Sequence, residues 1–240
     1  DVLAAAATAG AAGMAPAQGA LSGRKVLRLP LVSPETSLDP AQVHSDRNSA
    51  TVIAHILEAP LAYDYLARPA RLVPATAQAL PEASPDFKVF TVRIAPGIHF
   101  DDDPAFKGRR RELVAADYVY AIKRFYDPKY ASGDLYIYES LKLPGLTELR
   151  ERALATKQPF DYDAPVEGVR ALDRYTLRVT LGVPNPRFVY LMADPTYFGA
   201  VAREVVEHYG DDIGAHPVGT GAFRLKSWRR ASRIVLERSP

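Results

Sequence analysis

Hydrophobic positions along this chain recur at two periods, two residues and three to four, and the switches between them mark its elements. In residues 25–32, Leu27, Leu29 and Leu31 share one face, which predicts a strand that Pro34 and the Leu38-Asp39-Pro40 triplet bring to an end. Val52, Ile53, Ile56 and Leu57 then stand at helical spacing. Asp46 is available as an N-cap and Pro60 stops the run, so an amphipathic helix is predicted to feed residues 61–65. Pro and Ala dominate residues 67–85, which read as an irregular connection. Residues 88–94 return to alternation with Phe90, Val92 and Ile94 on one side, and Pro96-Gly97 predicts a turn that folds Ile98-His99-Phe100 back as a hairpin. A helix follows over residues 113–125, carrying Val114, Tyr118, Ile122 and Phe125 on the face expected to cover that strand.

The second half is more regular. Residues 127–164, Tyr-rich at first and then a charged helix-like run over 148–157, read as an insertion of unassigned role. Residues 166–171 and 175–181 predict a hairpin joined by Asp173-Arg174, with Tyr175, Leu177, Val179 and Leu181 buried and Thr176, Arg178 and Thr180 facing outward. Pro184 and Pro186 turn the chain into a short apolar helix around residues 188–192. Another helix over 201–209 ends at Gly210, and a last hairpin joins residues 223–228 to 234–237.

Composition narrows the function classes. A 48% hydrophobic content over 240 residues is enough to build a core. With 30 basic and 28 acidic residues interspersed, net charge is only +2, so there is no field to gather phosphates and nucleic acid is not expected as a partner. The absence of Cys removes disulfides, thiolate catalysis and Cys-based zinc sites together. At the start, residues 2–17 are Ala-rich and uncharged and contain Ala15-Pro16-Ala17, a small-x-small pattern that signal peptidases cut; residues 1–23 are read as a signal-peptide remnant or an Ala-rich disordered leader.

His44, His55, His99, His208 and His216 include no His-Glu-x-x-His pair, and Gly-x-Ser-x-Gly is absent, so neither a zinc hydrolase nor a nucleophile elbow is indicated. Gly219-Thr220-Gly221 begins like a dinucleotide fingerprint but has Arg224 where the third Gly belongs and precedes a strand. It reads as a tight turn needing positive backbone dihedrals, with direct ligand contact as the alternative. Asp101-Asp102-Asp103 lacks the alternating oxygens, turn Gly and distal Glu of a calcium loop. Beside Arg109-Arg110-Arg111 it reads as a solvated loop with local charge pairing. No catalytic residue, metal ligand or cofactor is expected.

The blocks at residues 90–124 and 168–223, the latter closing on Pro217-Val218-Gly219-Thr220-Gly221-Ala222-Phe223, together resemble the family 5 extracellular solute-binding proteins, the peptide, dipeptide and nickel receptors of bacterial ABC importers. The first strand and its Leu-Asp-Pro loop fit the same pattern. One departure is Val114, which stands where the family usually has Thr at the entry to the second helix, so a backbone or neighbouring side-chain substitute for the N-cap is expected there.

The resemblance implies an α/β, periplasmic-binding-protein-like two-lobe fold of type II with an inserted subdomain, the second lobe absent from this chain. Carried over, residues 24–49 and 165–240 would build an incomplete first lobe and residues 50–164 the inserted subdomain. It further implies a periplasmic, non-enzymatic receptor, monomeric at full length, that takes a peptide or similar small solute and hands it to an inner-membrane ABC permease. An enzyme or an interaction module on the same scaffold is the alternative. Candidate ligand contacts are Ser33, Glu35 and Thr36 in the loop after the first strand, with Glu35 either accepting a peptide amino terminus or standing as an exposed loop acid. Tyr63 and Tyr65 would lend an aromatic wall beside that strand, or pack in the core.

Overall fold

The structure, a computed structural model, describes residues 25–43 and 46–240. The leader with Ala15-Pro16-Ala17 lies outside the described residues, as does His44. Residues 25–31 carry no strand, contrary to the expectation from their alternation: Leu27 is 81% exposed and Leu29 63%. The period is right but a strand also needs a neighbour for its backbone groups, and no described residue pairs with this segment.

Residues 32–240 form one compact unit. Its first helix, α1 (Arg47–Ile56), is capped by Asp46 as expected and buries Val52, Ile53 and Ile56. The chain then makes a small antiparallel ladder from β1 (Leu61–Tyr63) and β2 (Leu72–Pro74), so the Pro/Ala-rich stretch is more regular than its composition suggests. That stretch also supplies β3 (Glu82–Ala83), which pairs with β4 (Val89–Arg93).

The expected hairpin from β4 into residues 98–100 does not form. Gly97, at φ +82°, turns the chain, but residues 98–100 pair forward with residues 111–113, Phe100 N–H donating to the Arg111 carbonyl and Leu113 N–H to that of Ile98. Helix α2 (Ala115–Tyr126) follows and buries Tyr118, Ile122 and Phe125. Val114 has no side-chain oxygen to cap the helix, and two other groups hold backbone donors at its entry. The Asp117 carboxylate accepts the Val114 N–H at 2.8 Å, and the Arg174 carbonyl accepts that of Ala115 at 2.9 Å.

Residues 127–164 contain α3 (Leu135–Leu141) and α4 (Leu146–Thr156), and belong to the core as much as to the surface: Tyr138, Leu141, Leu146 and Leu149 are buried, and the Tyr138 ring packs 4.7 Å from that of Phe125. The hairpin of β5 (Val169–Ala171) and β6 (Thr176–Thr180) then docks on β4, giving an antiparallel sheet in the order β3-β4-β6-β5. Phe90, Val92, Val169, Leu177 and Val179 are buried on one face of this sheet, the face that α2 crosses at β5 and β6. The sheet takes β4 from residues expected in the inserted subdomain and β5 and β6 from residues expected in the first lobe.

Three short helices, α5 (Phe188–Leu191), α6 (Pro195–Phe198) and α7 (Arg203–Tyr209), complete the core. The Phe188 ring meets Phe90 at 5.0 Å and Phe198 at 5.5 Å. The last hairpin, β7 (Phe223–Arg229) with β8 (Arg233–Arg238), forms as expected. Between α7 and β7 the Gly219-Thr220-Gly221 segment is not the positive-φ turn expected. Gly219 and Gly221 do not use positive φ; they are small because the chain runs against the end of α1. A Cβ on Gly219 would stand 1.9 Å from the Ile56 carbonyl oxygen, and one on Gly221 2.7 Å from that of His55. Gly221 N–H donates to the Ile56 carbonyl at 2.9 Å, satisfying one of the carbonyls a helix end leaves free.

Candidate functional site

The loop carrying Ser33, Glu35 and Thr36 is held from two directions. From one, Asp46 caps α1 through Oδ1, which accepts the Asn48 N–H at 3.0 Å, while its Oδ2 accepts the Ser49 hydroxyl at 2.6 Å. That same Oδ2 accepts the Thr36 N–H at 3.0 Å, so the residue that starts the helix also anchors the loop. Asn48 extends the anchor, its Nδ2 donating to the Ser33 carbonyl at 2.7 Å and to the Ser33 hydroxyl oxygen at 2.6 Å.

From the other direction comes the β7–β8 turn. The Trp228 indole N–H and the Ala231 N–H both donate to Glu35 Oε1, the latter at 3.0 Å. Arg230 donates to the Thr36 carbonyl at 3.2 Å and lies 4.6 Å over the Trp228 ring. Glu35 is therefore not an exposed acid; only 8% of it is accessible. Burial pushes its carboxyl up, but the bonds from Trp228 and Ala231 and the charge of Arg230 outweigh that and hold it below the usual glutamate value. The group is ionised at neutral pH, with both of these bonds on Oε1 and Oε2 outside them.

Tyr63 and Tyr65 belong to a second group. Tyr63 pairs with Leu72 across the β1–β2 ladder, not with residues 25–32, and its ring stacks on Tyr190 at 6.4 Å. Tyr65 is 86% exposed, and its carbonyl accepts from Arg68 at 3.2 Å. Beside them an open depression of about 710 Å³ is lined by Arg68, Arg71, Leu72, Leu80 and Tyr190 among others. Among the described residues no hydrogen bond or ring contact joins this aromatic group to the Ser33–Thr36 loop. Sequence reasoning missed Trp228, Arg230 and Tyr190. The chain's single Trp is a visible signal, but its pairing with a residue 193 positions away is not.

The charged runs also resolve into separate parts. Asp101 accepts the Ser239 hydroxyl at 2.8 Å, whereas Asp103 caps a 3-10 turn through the Ala105 N–H at 2.9 Å and accepts the Tyr209 hydroxyl at 3.0 Å. Arg111 departs from the expected local pairing: it reaches Asp117 at 2.7 Å and Glu204 at 2.8 Å, tying the start of α2 to that of α7. Among the described residues no cluster of three or more His, Asp or Glu is placed to hold a metal ion, and no helix is long and apolar enough to cross a membrane.

Comparison with known proteins matches residues 71–240 to the family described as bacterial extracellular solute-binding proteins, family 5 Middle. The chain belongs to this family. Among family 5 relatives, the periplasmic oligopeptide-binding protein OppA of Salmonella typhimurium (strain LT2) is 35% identical over 157 residues, 65% of this chain and 26% of OppA. The glutathione-binding protein GsiB of Pectobacterium atrosepticum is 27% identical over 203 residues, 85% of this chain and 32% of GsiB. The crystal structure of Haemophilus influenzae OppA in complex with RPPGFSPFR aligns with a TM-score of 0.68 at 26% identity, over 87% of this chain and 37% of that one.

These relatives are binding proteins rather than enzymes. The family 5 chain has the fold of their type II, periplasmic-binding-protein-like class, and spans about a quarter to a third of the curated relatives it matches.

Proposed function

We propose that this chain is part of a receptor that captures a peptide or similar small solute in the periplasm and delivers it to an inner-membrane ABC permease. The observation that carries the reading is the similarity to OppA and GsiB over most of the chain, proteins named for binding oligopeptides and glutathione. The loop of Ser33, Glu35 and Thr36 supports it physically. Receptors that close two lobes on a ligand need contact groups whose positions are fixed beforehand, because ordering them at binding would cost affinity. Here the loop is fixed by the side chains of Asp46 and Asn48 at the start of α1 and by the Ala231 N–H of the β7–β8 turn.

In this reading Glu35 keeps its charge at neutral pH and offers Oε2 to a cationic group such as a peptide amino terminus. Tyr63 and Tyr65 supply exposed ring surface against which a solute can pack. A thermal-shift screen of the full-length protein against peptides, nickel chelates and sugars tests the proposal, since a ligand that binds the native state raises the melting temperature by mass action. Stabilisation by peptides is expected; stabilisation by sugars or chelates alone would overturn the solute assignment.

A further inference from the structure

On the face of the four-stranded sheet turned away from α2, four side chains stand in one row across adjacent strands, beginning with Glu82 of β3 opposite Thr91 of β4. Thr91 of β4 is opposite Arg178 of β6, and Arg178 is opposite Arg170 of β5. Like charges directly opposite one another destabilise a sheet. Two other contacts soften the local charge: Arg170 pairs with Glu167 at 2.9 Å, and Arg93, further along β4, pairs with Glu82 at 3.1 Å. Arg178 has no such relief. Among the described residues no carboxylate or other acceptor bonds its guanidinium, and its Nε is shielded from solvent without a partner. The hydroxyl of Thr180, two residues on along the same face, is likewise buried and unpartnered. Buried donors without acceptors cost stability, so the row is poorly suited to the isolated fold.

We propose that this face docks a polypeptide partner presenting aspartate or glutamate side chains, one carboxylate of which sits between Arg170 and Arg178. A planar guanidinium takes a carboxylate through two parallel hydrogen bonds, and an anion placed between the two arginines converts their repulsion into attraction. Three arginines, Arg93, Arg170 and Arg178, fall short of the roughly 4 to 8 basic residues that mark a lipid-headgroup cluster. Nor does an open sheet face offer the concavity that retains a small free anion. An acidic polypeptide is the anion source that a surface spanning β4, β6 and β5 fits. The inference stands apart from solute capture, since none of its residues belongs to the loop or the aromatic group above.

Fluorescence anisotropy on the full-length protein tests it, using labelled hexaglutamate with both termini blocked as the probe. Binding is expected to weaken with added salt, and to weaken at least about tenfold in Arg178→Gln and in Arg170→Gln. Arg152→Gln, which removes one exposed charge from α4, should leave it unchanged. Because Arg178→Gln removes a like-charge pair, its melting temperature should equal or exceed that of the parent. The proposal is overturned if the parent does not bind, or if Arg178→Gln binds the probe as the parent does, which would locate binding elsewhere, the solute site included. It is equally overturned if phosphatidylglycerol vesicles are bound and hexaglutamate is not, if inorganic phosphate at equal charge competes the probe away, or if Arg178→Gln melts markedly lower.

Discussion

Both terminal nitrogens of Arg124 meet the carboxylate of Asp39, at 2.5 and 2.8 Å, and each side chain is only 1% exposed. The pair ties the Leu-Asp-Pro turn to α2. It is an expensive bond: two charges leave water, the Arg124 Nε finds no acceptor, and the Tyr130 ring, 4.3 Å away, supplies part of the compensation. Removing one partner strands the other. Asp39→Ala is therefore expected to destabilise the fold by about 3–5 kcal/mol, whereas Asp39→Leu with Arg124→Met should be close to neutral. Urea denaturation of both variants checks this; a mild single variant would mean that the pair is not sealed from water.

Glu35 makes stability depend on pH in a defined direction. Its folded carboxyl titrates below the ordinary glutamate value of 4.5, so its contribution is complete above that value and is lost as pH falls through the folded one. The gap in melting temperature between the parent and Glu35→Gln should thus be widest near neutrality and shrink as pH falls below 4.5. A gap that does not narrow on acidification while the parent remains folded would contradict the bonds assigned to Oε1.

At the hairpin of β5 and β6, Leu177 is fully buried while Thr176 beside it points outward. Leu177→Asp should cost several kcal/mol and abolish cooperative melting, because a carboxylate buried there meets no partner. Thr176→Asp should be tolerated. Circular dichroism during heating separates the two, and similar curves would refute the face assignment.

Gly219→Ala tests close approach, as opposed to backbone conformation, as the reason for glycine. The added methyl would stand 1.9 Å from the Ile56 carbonyl oxygen, so chain must move, at a cost of about 1–3 kcal/mol. Thr220→Ala removes a hydroxyl bonded to Glu58 at 2.9 Å and should cost less. Chemical denaturation of the two variants ranks them, and the reverse order would restore the turn reading.

Elements governed by local period were legible from the sequence. The alternation around Leu177 and Val179, the spacing of Tyr118, Ile122 and Phe125 and the Asp46 cap each appear where they were expected. What failed were inferences about partners. Residues 25–32 have the pattern of a strand but no paired neighbour among the described residues, and residues 98–100 follow a turn but pair forward with residues 111–113. The candidate site suffered likewise: Ser33, Glu35 and Thr36 do share one anchored loop, yet Glu35 is not the exposed loop acid of one reading, because Trp228 and Ala231 reach it from the far end of the chain. Local physics is written in adjacent residues, whereas the choice of partner is settled by packing.

The seam between α1 and the last hairpin has a kinetic meaning. Ile56 receives Gly221, Glu58 receives the Thr220 hydroxyl, and Glu35 receives the Ala231 N–H, so segments more than 160 residues apart close one another's open ends. Neither can fray alone. Amide protons at the end of α1 and in the β7–β8 turn should consequently exchange with solvent at a common opening free energy, and a protease should find both or neither.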